Sequence, residues 1–318
     1  MKDLHFFTPI DIRRISGDLA LTEKSLARLK LGNAQIRKIY KYLNHQKGKL
    51  LRPKILYYLC HKHRIAISTE IRTIALCIEI IHTAALLHDD VFDHEIKRRN
   101  KPSANIVFGD TRTILAGDYL LVKACEMLRG IENEKIAALL YETAMTTCSG
   151  EMDSCDFDDP DNISLGKYLS VVERKTASLF KACGSVINEY LQGRNPEAVF
   201  FAQAFGQFYQ ILDDLIDSER LLKEERPHTT LKDVVALPLV FLFSEHRRRG
   251  FKTEEALPCR KIFALLKKSD AYPRSLDYMG KKYRMTASRL GGENPCLIRV
   301  LKNIYDPIES FLRERCIL

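Results

Sequence analysis

The chain has 318 residues, and its 50 lysines and arginines against 41 aspartates and glutamates give a formal net charge of +9. Hydrophobic residues make up 46% of the sequence, which excludes a disordered chain and is enough for a large core. The 15 glycines and 11 prolines are too few for a fibrous or low-complexity protein.

The sequence carries no recognisable targeting signal. The first nine residues lack the apolar stretch of a signal peptide, and Cys316 stands third from the C-terminus rather than fourth, where prenylation requires it. The longest apolar run, residues 234–243, is too short for a membrane span, which needs about 20 residues. Nine cysteines without a Cys-x-x-Cys pair predict free thiols and no zinc or redox site. We therefore expect a cytoplasmic protein.

Apolar residues recur every three or four positions along the chain, which is the period of buried helices. In chain order, a helix is predicted to open at residues 48–53, with Pro53 near its first turn. Further stripes cover residues 76–87, 139–145 and 200–216. Short breaks and the near absence of strand and hairpin patterns favour one all-α domain over residues 1–318. Its motifs fall at about 45–245, and further helices are expected over 246–318.

The pattern Asp-Asp-x-x-Asp occurs twice, at residues 89–93 and at residues 213–217. In a helix, the outer aspartates of each copy lie one turn apart on the same face. Like charges at that spacing destabilise a helix by roughly 0.2–0.5 kcal/mol per pair, and by more where water is scarce. One such cluster is equally consistent with a solvated helix end. Two matching clusters predict bound cations, and hard oxygen ligands suit Mg²⁺.

Basic residues accompany these clusters along the chain. They are Lys97-Arg98-Arg99 after the first cluster, the pair Lys49 and Arg52, and Lys175 in mid-chain. Ammonium and guanidinium groups bind phosphate oxygens, although each group alone would be interpreted as part of a solvated helix face. Together with metal-binding carboxylates, they predict a diphosphate substrate held through Mg²⁺.

At these residues the chain resembles the trans-isoprenyl diphosphate synthases. Gly48-Lys49-x-x-Arg52-Pro53 resembles that family's Gly-Gly-Lys-x-x-Arg-Pro, and residues 81–93 and 208–217 resemble its two aspartate-rich motifs. Residues 115–119, 150–151 and 175–177 follow in the same order, and the similarity is good from about residue 45 to 220.

The resemblance implies an all-α fold of the isoprenoid synthase type, with a central cavity and the two clusters facing each other across its mouth. The implied metal site holds Mg²⁺ mainly through Asp89, Asp93 and Asp213, with Asp90, Asp214 and Asp217 close by. The implied ligands of the allylic diphosphate are Arg98, Lys175, Thr176 and Gln210, and the catalytic roles fall on Arg98, Lys175 and Gln210. The implied ligands of isopentenyl diphosphate are Lys49, Arg52, His82 and Arg99. By itself, His82 would be interpreted as a hydrogen-bonded core residue.

The implied reaction is Mg²⁺-dependent ionisation of an allylic diphosphate, attack by isopentenyl diphosphate and loss of a proton. Residues about one turn upstream of the first cluster line the floor of the product tunnel in this family. Here they are the small Ala84 and Ala85, which implies a long product of about seven to ten isoprene units (C35–C50). A short-chain farnesyl or geranylgeranyl synthase is the alternative.

The chain departs from the family after the second cluster. The usual Gly-Lys-x-x-Gly-x-Asp stretch has lost both glycines, and Lys223 and Lys232 are the available cations, of which Lys232 is predicted to bind substrate. Leu50 replaces the usual arginine beside Lys49. These departures suit a non-catalytic or regulatory subunit of a heteromeric synthase, whereas two intact aspartate clusters favour an enzyme. A terpene cyclase commonly lacks the second cluster.

The resemblance also implies a homodimer. The basic run His246-Arg247-Arg248-Arg249 raises nucleic-acid binding as a further hypothesis. Because the charge is spread along the chain and no nucleic-acid-reading motif occurs, no nucleic-acid partner is expected. We interpret the run as a solvated loop in peripheral contact with anionic lipid, where an apolar product leaves.

Overall fold

The computed structural model describes residues 6–44, 48–98, 101–224, 230–248, 259–291 and 294–316. These residues are almost entirely helical, which confirms the all-α prediction. The α-helices are α1 (Pro9–Ala27), α2 (Ala34–Asn44), α3 (Leu51–Lys62), α4 (Thr69–Phe92), α5 (Ala104–Phe108), α6 (Asp110–Leu128), α7 (Glu134–Ser154), α8 (Leu165–Val171), α9 (Ser178–Tyr190), α10 (Pro196–Glu224), α11 (Leu237–Arg248), α12 (Cys259–Lys267), α13 (Ala271–Leu290) and α14 (Pro295–Cys316).

The chain divides into two compact units. The N-terminal unit comprises Thr8–Met145 and Ala182–Val199, and the C-terminal unit comprises Met1–Phe7, Thr146–Lys181 and Phe200–Leu318. The first aspartate cluster belongs to the N-terminal unit and the second to the C-terminal unit. The single domain over residues 1–318, and the mutual orientation of the two clusters, stay predictions.

Helix α4 forms the core of the N-terminal unit, where it packs against α1, α3, α5 and α6. It begins with Ser68, whose side chain accepts a hydrogen bond from the Ile71 amide as an N-cap. With 24 residues, the helix is long and apolar enough to cross a membrane, judged by length and composition only. However, 56% of its most apolar window is buried inside the protein, as expected of a core helix.

Aromatic side chains dominate the core of the C-terminal unit. Phe205 lies on α10 with its ring centroid 5.3 Å from Phe180 and 5.5 Å from Phe6. Phe201, Phe205 and Phe208 are fully buried, so the wide apolar stripe predicted over residues 200–216 is confirmed. Edge-to-face and tilted ring contacts of this kind add to the free energy of simple area burial.

One small element was not predicted. Strand β1 (Lys97–Arg98) pairs antiparallel with β2 (Lys101–Pro102) directly after the first cluster. Two-residue strands are too short for the alternating pattern that reveals a strand in a sequence. Arg99 and the side chains of the basic run at residues 246–249 lie outside the described residues. Within the part of the chain that is described, eight cysteines are free thiols, as predicted.

Candidate functional site

The outer aspartates of the first cluster lie one turn apart at the C-terminal end of α4. The helix ends at Phe92, and the Asp93 amide donates to the Asp89 carbonyl over 2.8 Å, so helical spacing persists through the cap. Both side chains are partly exposed, whereas Asp90 between them is fully buried. The two outer aspartates therefore reach the surface of the N-terminal unit.

The middle aspartate of this cluster is held by a predicted substrate ligand. The Arg98 guanidinium, on β1, donates from Nε to Oδ1 of Asp90. Burial raises the pKa of the Asp90 carboxyl, and the nearby Arg98 charge opposes that shift. The hairpin thus positions Arg98 directly beside the end of α4 that is predicted to bind metal.

Helix α6 fixes the residue that precedes the first cluster. His88 Nε2 lies 3.2 Å from Oδ1 of Asp118 and 3.3 Å from the Ile114 carbonyl oxygen. This approach is tight at Gly117, because a Cβ atom there would come within 2.3 Å of His88 Nε2 and the imidazole would have to shift. The Gly117-Asp118 pair of this motif therefore positions the His88 side chain, one residue before Asp89.

The remaining predicted ligands of the N-terminal unit lie on α3 and α4. Leu50 adopts a left-handed conformation with φ 47° at the start of α3, between the exposed Lys49 and the buried Arg52. A non-glycine residue in that region is strained by roughly 1–2 kcal/mol, and such strain commonly occurs at functional sites. His82 is half-buried and lies on the same face of α4 as Asp89, seven residues away.

The outer aspartates of the second cluster lie in the middle of a long helix. Asp213 and Asp217 are both partly exposed on α10, one turn apart. Arg220 lies on the same face, and its Nη2 is 3.0 Å from Oδ1 of Asp217. This arrangement repeats that of the first cluster, where an arginine also contacts one of the aspartates.

A chain of hydrogen bonds holds the middle aspartate of the second cluster. Tyr168 donates to Oδ2 of Asp214 over 2.6 Å, and Gln210 Nε2 donates to Oδ1 over 2.6 Å. The Thr176 hydroxyl donates to Gln210 Oε1 over 2.7 Å. Burial raises the pKa of Asp214 to about 7, against the effect of the two hydrogen bonds it accepts. Asp214 thereby fixes Gln210 and Thr176, two predicted diphosphate ligands.

Lys175 lies on an irregular stretch of backbone. Residues Val172–Ala177 form a π-helical segment between α8 and α9, and such segments are frequent at functional sites. Lys175 Nζ lies 2.6 Å from Glu151 Oε1, and both side chains are largely buried. The close approach depends on Gly150, since a Cβ atom there would lie 2.3 Å from the backbone nitrogen of Lys175.

The two lysines after the second cluster have different surroundings. Lys223 Nζ lies 2.5 Å from Oε1 of Glu219, whose other oxygen accepts a hydrogen bond from Arg315 Nε over 2.9 Å. Lys232 begins a single 3₁₀ turn, and its backbone N–H donates to Oδ1 of Asp158 over 3.2 Å. The carboxylate of Glu219 therefore engages Lys223. That Lys232 binds substrate stays a prediction.

The donor set suits Mg²⁺. Within the described ranges, no three His, Cys, Asp or Glu side chains are gathered as a preformed metal cage. Mg²⁺ does not require one, because it usually binds one or two carboxylates and completes its shell with water and substrate phosphates. Two partly exposed carboxylates one turn apart, present in each cluster, match that preference.

Comparison with known proteins places these motifs in a family. Residues 33–227, more than half of the chain, match the family described as polyprenyl synthetase. The chain belongs to the polyprenyl synthetase family. It is 31% identical over 195 residues to a geranylgeranyl diphosphate synthase of Methanosarcina mazei, covering 58% of this chain and 59% of that protein. It thus spans little more than half the length of that relative.

Two further similarities extend over most of the chain. A heptaprenyl diphosphate synthase component 2 of Geobacillus stearothermophilus is 28% identical over 285 residues, covering 82% of this chain and 85% of that protein. The crystal structure of a decaprenyl diphosphate synthase from Rhodobacter capsulatus superposes with a TM-score of 0.75 at 21% identity, covering 96% and 98% of the two chains. At this identity the structural match shows the polyprenyl synthetase fold.

Sequence reasoning missed three residues that support the site in this family member. Tyr168, Glu151 and Asp118 contact Asp214, Lys175 and His88 from positions 24–46 residues away in the chain. Asp118 and Glu151 lie in the stretches 115–119 and 150–151, which resemble the family but to which the sequence analysis assigns no role. Tyr168 offered no signal, because one tyrosine on an apolar helix is ordinarily a core residue.

We predict that Gly150→Ala will disturb the Lys175 segment. The added methyl group meets backbone rather than a movable side chain, so α7 must move away, with a destabilisation of about 1–3 kcal/mol. Thermal unfolding should show a lower Tm than that of the unaltered protein. Gly166→Ala is the matched control, because nothing lies within 4 Å of its Cβ position on α8. Equal Tm values for the two variants would contradict the packing described here.

Proposed function

We propose that this chain is a trans-polyprenyl diphosphate synthase that adds isopentenyl diphosphate units to an allylic diphosphate. The observation that carries the proposal is the arrangement repeated in both clusters. In each, the middle aspartate is tied to protein donors and the outer two carboxylates are partly exposed, one turn apart. Family membership supports the same reaction class.

Mg²⁺ would be held by the outer carboxylates of both clusters, namely Asp89, Asp93, Asp213 and Asp217. Asp90 and Asp214 would instead contact protein donors and so hold the clusters in position. When bound, Mg²⁺ would neutralise charge on the diphosphate and so favour departure of that group from the allylic carbon. The protein contributes fixed positive charge beside it, since preorganised groups act without reorganisation during the reaction.

The basic residues are held close to the clusters by carboxylates. Arg98 contacts Asp90, and Lys175 contacts Glu151, so each cation is positioned before a substrate arrives. A diphosphate can take over these contacts because its oxygens accept the same charge-assisted hydrogen bonds. Gln210 and Thr176, already fixed by Asp214, orient the leaving group. Lys49, Arg52, His82, Arg99 and Lys232 complete the proposed set of substrate ligands.

The carbocation formed at the allylic carbon must be protected from water until the double bond of isopentenyl diphosphate attacks it. A new carbon–carbon bond then joins the two chains, and a proton leaves the adjacent carbon to restore a double bond. In the proposed reaction, the departing diphosphate accepts that proton. The product is an allylic diphosphate longer by one unit, so the cycle can repeat.

We predict that the purified protein, given Mg²⁺, farnesyl diphosphate and labelled isopentenyl diphosphate, will form labelled polyprenyl diphosphate. Asp89→Asn and Asp213→Asn should each lower turnover on the order of 10²-fold, because each removes a charge that binds the metal. Asp306→Asn is the control, since that aspartate pairs with Lys302 on the surface. No labelled product from the unaltered protein, or equal turnover in all three variants, would refute the proposal.

The relative named as component 2 supports an alternative in which this chain works together with a partner protein. The altered segment after the second cluster is consistent with such a subunit. In that case the labelled-substrate assay should be negative for the isolated chain and positive only after the partner component is added.

We further propose a long-chain product, on the strength of the small residues one turn before Asp89. Ala85 is partly exposed on the same face of α4 as Asp89, whereas Ala84 is fully buried. Filling the Ala85 position should therefore shorten the space available to the product, while a larger residue at Ala84 should chiefly disturb core packing.

We predict that Ala85→Phe will shorten the product, as measured by thin-layer separation of the labelled alcohols. Ala84→Phe should also shorten it, with a lower Tm than Ala85→Phe because its site is filled already. Ala138→Phe, at an exposed position on α7, is the control. Unchanged chain length in both variants would remove the tunnel-floor assignment, and short products from the unaltered protein would favour the short-chain alternative.

We also propose that a second copy of the chain covers the exposed apolar residues of α5 and α6. These helices pack on each other and carry large side chains that are 41–68% exposed: Ile106, Val107, Ile114, Leu115 and Val122. Such patches mark interaction surfaces.

We predict that Leu115→Glu will halve the mass measured by light scattering, because a charge there opposes burial of the patch in a dimer. Met285→Glu, at a still more exposed position on α13, should leave a dimer. A monomeric unaltered protein would refute this proposal.

The free cysteines support a cytoplasmic location, which stays a proposal. Peripheral lipid contact was expected from the basic run at residues 246–249, whose side chains lie outside the described residues, so it stays a proposal.

A further inference from the structure

Glu173 lies in the π-helical segment Val172–Ala177, two residues before Lys175, and the proposed function gives it no role. Its side chain is half-buried and accepts hydrogen bonds from two glutamines of α10. Gln203 Nε2 donates to Oε1 over 2.6 Å, and Gln207 Nε2 donates to Oε2 over 3.4 Å. Each oxygen of the carboxylate is thus engaged by a different turn of the same helix.

This contact fixes more than one distance. Gln203 and Gln207 are four residues apart, which is about one turn of α10. A carboxylate that accepts from two donors along a helix determines both the height and the rotation of its own segment relative to that helix. Hydrogen bonds to a charged acceptor are also stronger than those between neutral groups. Glu173 therefore anchors the π-helical segment on α10.

A π-helical turn depends on contacts of this kind. It replaces the usual helical hydrogen bonds by i→i+5 bonds, which are rare and are mostly limited to a single turn inside an α-helix. The backbone of α10 also approaches the end of the segment closely, since a Cβ atom on Gly206 would lie 2.8 Å from the Cα atom of Ala177. The segment is therefore held against α10 on both sides of Lys175 and Thr176.

A positive charge lies near the Glu173 carboxylate. Lys282, on α13, is half-buried; burial lowers its pKa, and the charge of Glu173 opposes that shift. Opposite charges attract more strongly where water is scarce, so Lys282 favours an ionised acid at this position. Amide donors from α10 and a cation from α13 therefore surround one carboxylate within the C-terminal unit.

We propose that Glu173 is a positioning residue, which places Lys175 and Thr176 by anchoring the π-helical segment on α10. That these two residues bind the allylic diphosphate rests on the proposed function, whereas the anchor rests on the contacts of Glu173. Thr176 donates to Gln210 over 2.7 Å, about one turn beyond Gln207. Loss of the anchor displaces the predicted ligands of the allylic diphosphate. The predicted ligands of isopentenyl diphosphate lie in the N-terminal unit and do not depend on it.

The first test is kinetic and uses Glu173→Gln, which removes the charge and keeps the size of the side chain. In the labelled-substrate assay, kcat/KM for farnesyl diphosphate should fall on the order of tenfold, while KM for isopentenyl diphosphate should change by less than about twofold. Gln203→Glu, which brings two carboxylates together, should show a similar fall. The double variant restores one carboxylate facing one amide and should regain most of the loss. Glu309→Gln is the control, because that carboxylate pairs with Arg313 on α14.

The second test is hydrogen–deuterium exchange of residues 172–177, which requires no substrate. Exchange should be faster in Glu173→Gln than in the unaltered protein and should recover in the double variant. Unchanged exchange would overturn the anchor. Unchanged kinetics, equal losses for both substrates, or a loss that the double variant does not regain would overturn the positioning role. If the unaltered protein forms no product while exchange responds as expected, the proposed function falls and the anchor stands.

Discussion

Repulsion between carboxylates held one helical turn apart is the constraint on which this structure depends. Asp89 with Asp93, and Asp213 with Asp217, place like charges on one face of a largely buried helix, where water screens them poorly. Each unit reduces the problem in the same way. The middle aspartate turns toward protein donors, namely Arg98 for Asp90 and the Tyr168–Gln210 pair for Asp214. The outer carboxylates stay partly exposed, and the divalent cation proposed above would make their proximity favourable.

Close backbone packing supports this arrangement from outside the clusters. Gly117 allows α6 to approach His88, and Gly150 allows α7 to approach the π-helical segment that carries Lys175. A glycine at such a contact removes the Cβ atom that would separate the helices, so side chains from distant parts of the chain reach each other. The acidic partners Asp118 and Glu151 follow these glycines directly, which explains why each motif pairs a glycine with an acid.

The sequence predicted helices, clusters and family because those features are local. An apolar stripe repeats every 3.6 residues wherever the helix lies, and Asp-Asp-x-x-Asp sets its own spacing. The hairpin at residues 97–102 escaped prediction because its strands are two residues long. The roles of Tyr168 and Glu151 escaped because hydrogen bonds to Asp214 and Lys175 join residues far apart in the chain, which no local pattern records.

The sequence by itself determined the all-α class, both aspartate clusters and the basic residues that accompany them, since helical period and charge spacing are properties of neighbouring residues. Only the tertiary structure decided that Asp90 is fully buried while the other aspartates of the clusters are partly exposed. It also decided which aspartates are held by protein donors and which side chains hold the predicted ligands in place. It further revealed the contacts of Glu173 with Gln203 and Gln207, which lie 30 and 34 residues farther along the chain. Burial and hydrogen bonding depend on what packs around a residue, and that is fixed only when distant segments meet.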